Sequence, residues 1–193
     1  MLYSIGYATK PLEQFIQQLK KYNISALADV RSVPYSKAFK EYHQEALRNS
    51  LQQAGIRYVY LGEELGPRSK NPEHYSEGQV QFSRLMESEL FQKGIERLEE
   101  GQQKGFTIAL CCAEKDPAVC HRSLLIAWAL KRQKSREIQH ILHDGQLESQ
   151  TQLEHRLMAL TGIVADMFMD DLEAEKLAYQ AQCVCCAYRL PEK

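Results

Sequence analysis

The sequence predicts an open three-layer α/β/α sandwich around a mostly parallel five-stranded sheet. Three observations predict it. Apolar runs of strand length alternate five times with segments of helical period. The runs are apolar almost throughout, as strands covered on both faces are. The chain has 193 residues, whereas a (β/α)₈ barrel needs eight strand–helix units and usually about 250 residues. The wrapping is Rossmann-like, but no G-x-G-x-x-G and no G-x-x-x-x-G-K-[ST] occurs, so neither dinucleotide binding nor a P-loop has support.

The elements follow in order. Residues 2–5, LYSI, read as the first strand, ended by Gly6. Thr9 is the expected cap of a helix with Pro11 in its first turn, since Leu12, Phe15, Ile16 and Leu19 recur at helical spacing. ISALADV is the second strand, closed by Arg31 and Pro34. A second helix fits 41–54, with Leu47, Leu51 and Ala54 on one face and Gly55 as its stop. IRYVYL, rich in branched and aromatic residues, is the third strand. Residues 62–78 carry three glycines and two prolines and read as one long connection, of the kind that often serves function. A long helix is expected over 79–101. FTIALCC is the fourth strand, 122–133 a helix, IQHIL the fifth strand, HDGQ a turn, and 149–161 a further helix. We expect an α/β domain over 1–148, and over 149–193 a helical extension with a cysteine-containing tail packed on it.

Composition narrows the function classes. Apolar residues make up 44% and charged residues 25%, and net charge is −1, a balance that neither suggests nor excludes nucleic acid, because a local basic face would suffice. No run of about 18 apolar residues spans a membrane, and the start, MLYSIGYATK, lacks a secretion signal. The expected location is the cytoplasm. The six cysteines therefore read as free thiols, metal ligands or catalytic groups rather than a disulfide framework.

In open α/β sheets, ligands bind beyond the carboxyl ends of the strands. That rim collects Tyr7 after strand one, Asp29 and Arg31 at strand two, and the loop CAEKDPAVCHRS after strand four. Cys111 and Cys112 point to opposite faces of a strand, so Cys111 is expected in the core and Cys112 at the rim. Arg122 and Ser123 open a helix, where unpaired N–H groups and the helix dipole suit an anion. Cys112 or Cys120 beside such a site could act as a nucleophile, with Glu114 or Asp29 as acid, base or orienting carboxylate and with Arg31, Arg122, His121, Tyr7 and Ser123 binding the ligand. The spacing excludes a standard phosphatase loop, which sets arginine six positions after cysteine. A second reading makes Cys112, Cys120 and His121 ligands of zinc or iron. A third lets the 31–48 segment, with Arg31, Lys37, Lys40, Tyr35, Phe39, Tyr42 and His43, hold nucleic acid; a solvated loop is its plain alternative. Asp29 and Arg31 share a strand face and could simply form a surface ion pair. His140 reads as a core histidine and His143 as a group able to reach the rim. Cys183, Cys185 and Cys186 read as a chance set of tail thiols, with a metal clip as the alternative. No cofactor is required by the sequence. An anionic small molecule or nucleotide is the expected partner.

These motifs carry a resemblance. SIGYAT, LADVRSVPYS, GIRYVYLGEELG and ALCCAEKDPAVCHRSLLIA followed by IQHILHDG are similar, in order, to the domain of unknown function 488 family over about residues 2–146. The resemblance implies a three-layer α/β fold. It implies that Asp29, Arg31, Pro34, Cys112, Glu114, Cys120, His121 and Arg122 occupy the signature positions. The family's first motif usually reads I-G-H-S/T, and here Tyr7-Ala8 stands in place of His-Ser, so a phenol replaces the imidazole.

Overall fold

A computed structural model describes residues 1–36 and 38–191. Lys37, one of the basic residues of the 31–48 segment, and the last two residues of the tail lie outside the described residues. Strands β1 (Leu2–Gly6), β2 (Ala26–Asp29), β3 (Arg57–Tyr60), β6 (Ile108–Cys112), β7 (Ile138–Ile141) and β8 (Leu147–Ser149) form one sheet in the order β3-β2-β6-β1-β7-β8. The first five are parallel. The sheet has six strands, not five, because β8 turns back antiparallel onto β7. The turn between them carries Gly145 at φ 82°, and the Asp144-Gly145 pair is the sequence signal for such a hairpin.

Both faces of the sheet are covered, as the apolar strands require. Leu2, Ala26, Ala28, Ile108, Leu110 and Cys112 enter one core with α5 (Glu89–Gln103), α6 (Trp128–Lys134) and the later helices α7 (Gln150–Thr161) and α8 (Asp171–Cys186). Tyr3, Ile5, Leu27, Ala109 and Cys111 enter the other, against α1 (Leu12–Lys21) and α2 (Gln44–Gln53). The period of two along β6 thus divides the paired cysteines between faces. Burial pushes the Cys111 thiol up to about 12, which fits a core residue.

Three local expectations are corrected. Thr9 does not cap α1: it takes φ 60° and meets His143 at 3.2 Å, and Pro11 sits at the helix entry instead. The 62–78 connection holds a short helix α3 (Gly62–Leu65), and a hairpin of β4 (Tyr75–Ser76) and β5 (Gln79–Val80) begins within it. Glu77 and Gly78, both at positive φ, make its turn. The long helix breaks into α4 (Phe82–Glu87) and α5, because the Ser88 side chain accepts from the Phe91 N–H and starts a new helix. Among the described residues no helix is long and apolar enough to cross a membrane.

His140 is buried, as expected of a core histidine. Its Nδ1 lies 2.7 Å from Ser4 Oγ and its Nε2 lies 2.8 Å from Gln150 Oε1. Burial, then the charge of Arg122, holds its pKa down to about 3. In the unfolded chain the ring titrates near 6.5. Between those values the unfolded state binds the extra proton, so stability falls as pH drops from about 6.5 toward 3, by up to about 1.4 kcal/mol per pH unit. Urea midpoints of the native protein and His140→Gln at pH 7 and pH 5 check this. The variant is expected to show the smaller difference; equal differences would remove His140 from the pH response.

Candidate functional site

The site starts where β6 stops. After Cys112 the chain crosses the end of β1, where Tyr7 N–H donates to the Cys112 carbonyl (3.2 Å) and Ala8 N–H to the Ala113 carbonyl (2.8 Å). Only glycine fits at position 6: an added Cβ would stand 1.9 Å from the Glu114 carbonyl oxygen. Asp116 then accepts from the Ala118 N–H (2.9 Å) and starts a single 3₁₀ turn at Pro117, while the Arg156 guanidinium clamps the same carboxylate at 2.8 and 3.0 Å. That turn reverses the chain, so Cys120 comes back beside Cys112.

Arg122 and Ser123 serve this loop itself. The Arg122 side chain is wholly buried, with Nη1 donating to the Glu114 carbonyl (2.7 Å) and Nη2 to the Lys115 carbonyl (3.3 Å). Ser123 Oγ donates to the Pro117 and Cys120 carbonyls. The Ser123 and Leu124 N–H groups both bond the Cys120 carbonyl. The anion cradle expected at this helix start is therefore closed by the chain's own backbone, and neither residue reaches open space. Residues 122–127 also form a π-helical turn before α6 begins. Such wide turns are often found at functional sites.

The loop brings four side chains together. Cys112 Sγ lies 2.8 Å and Cys120 Sγ 3.0 Å from the same oxygen of Glu114, Oε2. His121 Nδ1 lies 3.5 Å from Cys112 Sγ and 3.9 Å from Cys120 Sγ. All four candidate ligand atoms lie within 4.8 Å of one another. His121 Nε2 lies 3.0 Å from the Val30 carbonyl. A carbonyl only accepts, so Nε2 carries a proton, and Nδ1 is the ring atom turned to the sulfurs, able to hold a proton toward a thiolate or, once that proton is lost, to offer its lone pair. Adjacent Cys-His side chains converge only on a tightly turned loop, and the 3₁₀ turn supplies that.

The charges of the cluster are unequal. Burial opposes a thiolate at Cys120, but the Cys112 hydrogen bond, Arg122 and His121 together carry its pKa well below the thiol range. Burial and the Cys120 partner keep Cys112 protonated. Burial and the Cys120 charge raise Glu114. His121 is raised although burial opposes it, through its hydrogen bond and charge interaction with Cys120. The favoured thiolate is thus Cys120, yet it is Cys112 that reaches the adjoining cleft.

That cleft has a volume of about 460 Å³ and lies over the carboxyl ends of β1, β2 and β6. Glu114 and His121 share its floor with Cys112. Tyr7 lines it, stacked on Tyr42 with ring centroids 4.2 Å apart, and the Arg31 guanidinium stands 5.1 Å over the Tyr7 ring. Arg31 also lines the cleft. Asp29 does not, and the pair is no surface ion pair. Arg31 Nε and Nη2 donate to Asp29 Oδ1 and Oδ2 at 2.8 and 2.6 Å, with Asp29 fully buried. Tyr58 Oη donates to Oδ2 (2.6 Å), and Arg31 Nη1 donates to the Tyr42 carbonyl (2.8 Å). Asp29 is a carboxylate that holds Arg31 at the cleft.

Of the 31–48 segment, Tyr42 is buried and its hydroxyl donates to the Lys10 carbonyl, while Tyr35 stays exposed on the cleft lip. His143 borders a separate shallow depression with Lys115 and Arg156. The cysteines are free; Cys185 is exposed, and Cys186 lines the cleft. Sequence reasoning misses Arg68, Cys186 and Tyr188, which form the far wall. The long 62–78 connection hints at Arg68. No sequence pattern points to Tyr188.

The family whose description is "Domain of unknown function DUF488" matches residues 11–129. No curated protein and no solved structure matches the chain.

Proposed function

The chain belongs to the family described as Domain of unknown function DUF488, whose description assigns no activity, and we propose that Cys112, Glu114, Cys120 and His121 form a metal centre of the zinc or ferrous-iron class, serving an enzyme that acts on an anionic small molecule in the adjoining cleft. The observation that carries this reading is the convergence of four ligand atoms within 4.8 Å. A tetrahedral zinc with Zn–S of about 2.3 Å and Zn–N of about 2.0–2.1 Å sets its ligand atoms roughly 3.5–3.8 Å apart. The two sulfur–imidazole separations, 3.5 and 3.9 Å, suit that spacing. The sulfur–carboxylate separations of 2.8 and 3.0 Å are shorter, and a cation between these atoms would push them apart to ligand spacing. The Val30 carbonyl on His121 Nε2 is the outer-shell partner that metal-bound imidazoles usually have.

Glu114 is the least buried of the four and faces the cleft, so it suits the exchangeable position of a catalytic centre. There the metal would polarise a substrate oxygen or lower the pKa of a bound water, with Arg31 holding the anion. Free thiols at the site support a reducing compartment, the cytoplasm, as its place of work.

A second reading, Cys120 as a nucleophilic or redox thiolate, is favoured by the stabilised thiolate beside His121. It is weakened by geometry, since Cys120 does not line the cleft. The test is metal analysis of untagged protein followed by cobalt(II) titration. About one ion per chain and a thiolate-to-cobalt absorption band are expected. Metal-free protein whose melting temperature ignores added zinc and ferrous iron would overturn the metal centre. Alkylation of Cys120 by iodoacetamide faster than of a model thiol at pH 7 would then give the site to thiol chemistry.

A further inference from the structure

The cleft carries recognition groups that the metal centre does not use. Two guanidiniums line it, Arg31 and Arg68, and among the described residues Glu114 is the only carboxylate that does. A guanidinium has five N–H donors. Arg31 donates from Nε, Nη1 and Nη2 to Asp29 and Tyr42, so three of its five N–H donors are used there and the remainder lie on the side shared by Tyr7 and the cleft. Arg68 is exposed and stands 4.8 Å over the Tyr188 ring, and among the described residues no carboxylate forms an ion pair with it. Its position is steadied by the Ser32 hydroxyl, which accepts from the Arg68 N–H at 3.1 Å.

The lip has the opposite character. Val33 is 52% and Tyr35 59% exposed, and Tyr35 is stacked on His43 with centroids 4.2 Å apart. The Tyr35 ring, held by His43 on one side, offers a face for a planar group. A cleft of about 460 Å³ lies in the range of small-molecule sites.

We propose that the cleft binds a small organic phosphate carrying a flat ring, of the size of a nucleoside monophosphate, with the phosphate between Arg31 and Arg68 and the ring against Tyr35 and Val33. This names the substrate class for the site proposed above; turnover of that ligand rests on the metal centre, and its binding does not. Guanidinium forks match phosphate oxygens. Stacking on an aromatic face tolerates any base. The far wall, Tyr188, comes from beyond residues 11–129, the span that matches the family, so the C-terminal segment completes the specificity of this chain's cleft by holding Arg68.

The experiment is titration calorimetry of the full chain with adenosine monophosphate, adenosine and inorganic phosphate, in metal-loaded and chelator-treated protein. The monophosphate is expected to bind at least about tenfold more tightly than either fragment, since it alone meets both halves of the cleft. Arg68→Ala is expected to lose about tenfold for the monophosphate and nothing for adenosine. Tyr35→Ala is expected to weaken the monophosphate and adenosine alike and to spare phosphate. Both residues are exposed, and an unchanged melting temperature shows that the variants fold. Binding that survives chelation separates this proposal from the metal centre, which stands or falls on metal analysis. A monophosphate no tighter than inorganic phosphate overturns the ring site. One no tighter than adenosine overturns the anion site. A 5′-phosphorylated oligonucleotide at least tenfold tighter than the monophosphate overturns the small-molecule class in favour of nucleic acid.

Discussion

Replacing Cys120 by serine is expected to weaken cobalt(II) and zinc binding by on the order of 100-fold or more, while the protein stays folded. The sulfur is the donor the cluster holds as a thiolate. A serine hydroxyl stays protonated at neutral pH and is a hard, neutral donor, poorly suited to a metal chosen by soft ligands. The change removes little volume, and Cys120 contributes no backbone bond that serine cannot make. Cys186→Ser is the internal control. Cys186 lines the same cleft but lies outside the four-residue cluster, so its affinity is expected to match the native protein. Glu114→Gln keeps shape and loses charge, and a smaller loss of about tenfold is expected, since an amide oxygen is a weaker donor but both sulfurs and the imidazole remain. Competition with a chromophoric chelator measures all three. If Cys120→Ser retains affinity within about threefold, the cluster is not what holds the metal.

The fold was legible because its signals are local. In FTIALCC, five consecutive buried residues, Ile108–Cys112, must serve two faces, and the period of two sends Cys111 one way and Cys112 the other. The strand-end rim followed from topology, and Cys112, Glu114, His121, Tyr7 and Arg31 do gather there. What escaped depends on contacts that are distant in sequence or on very short elements. Strands of two residues, Tyr75–Ser76 and Gln79–Val80, carry no period to detect. Arg122 next to Cys-His at a helix start reads as a solvent-facing anion ligand. It is buried because the loop ahead of it folds over and gives it the carbonyls of Glu114 and Lys115. Glu114 could have been placed in the metal set, since a residue two beyond Cys112 shares its side if the strand direction continues. Asp29 looked exposed because nothing near it in sequence says that Tyr58 of β3 and the Tyr42 carbonyl close over the pair.

That burial sets the second large effect. Asp29→Ala is expected to destabilise the protein by about 3–5 kcal/mol, the cost of stranding one member of a buried ion pair. Arg31 is 5% exposed and would keep its charge after its guanidinium and its backbone N–H lose all three bonds to the carboxylate, and Tyr58 Oη would lose its acceptor. A surface pair would cost only about 0–1 kcal/mol, so urea denaturation separates the two cases cleanly. Asp29→Asn is expected to fall between, since it keeps an acceptor and drops the charge. The double variant Asp29→Leu with Arg31→Met is expected to recover much of the loss, because apolar residues of similar volume often replace a buried pair at little cost. Recovered stability without recovered adenosine monophosphate binding would show that the pair is kept for the guanidinium it presents to the cleft. A single Asp29→Ala cost below about 1 kcal/mol would mean that Arg31 swings out to water, and that the cleft has no fixed arginine to hold an anion.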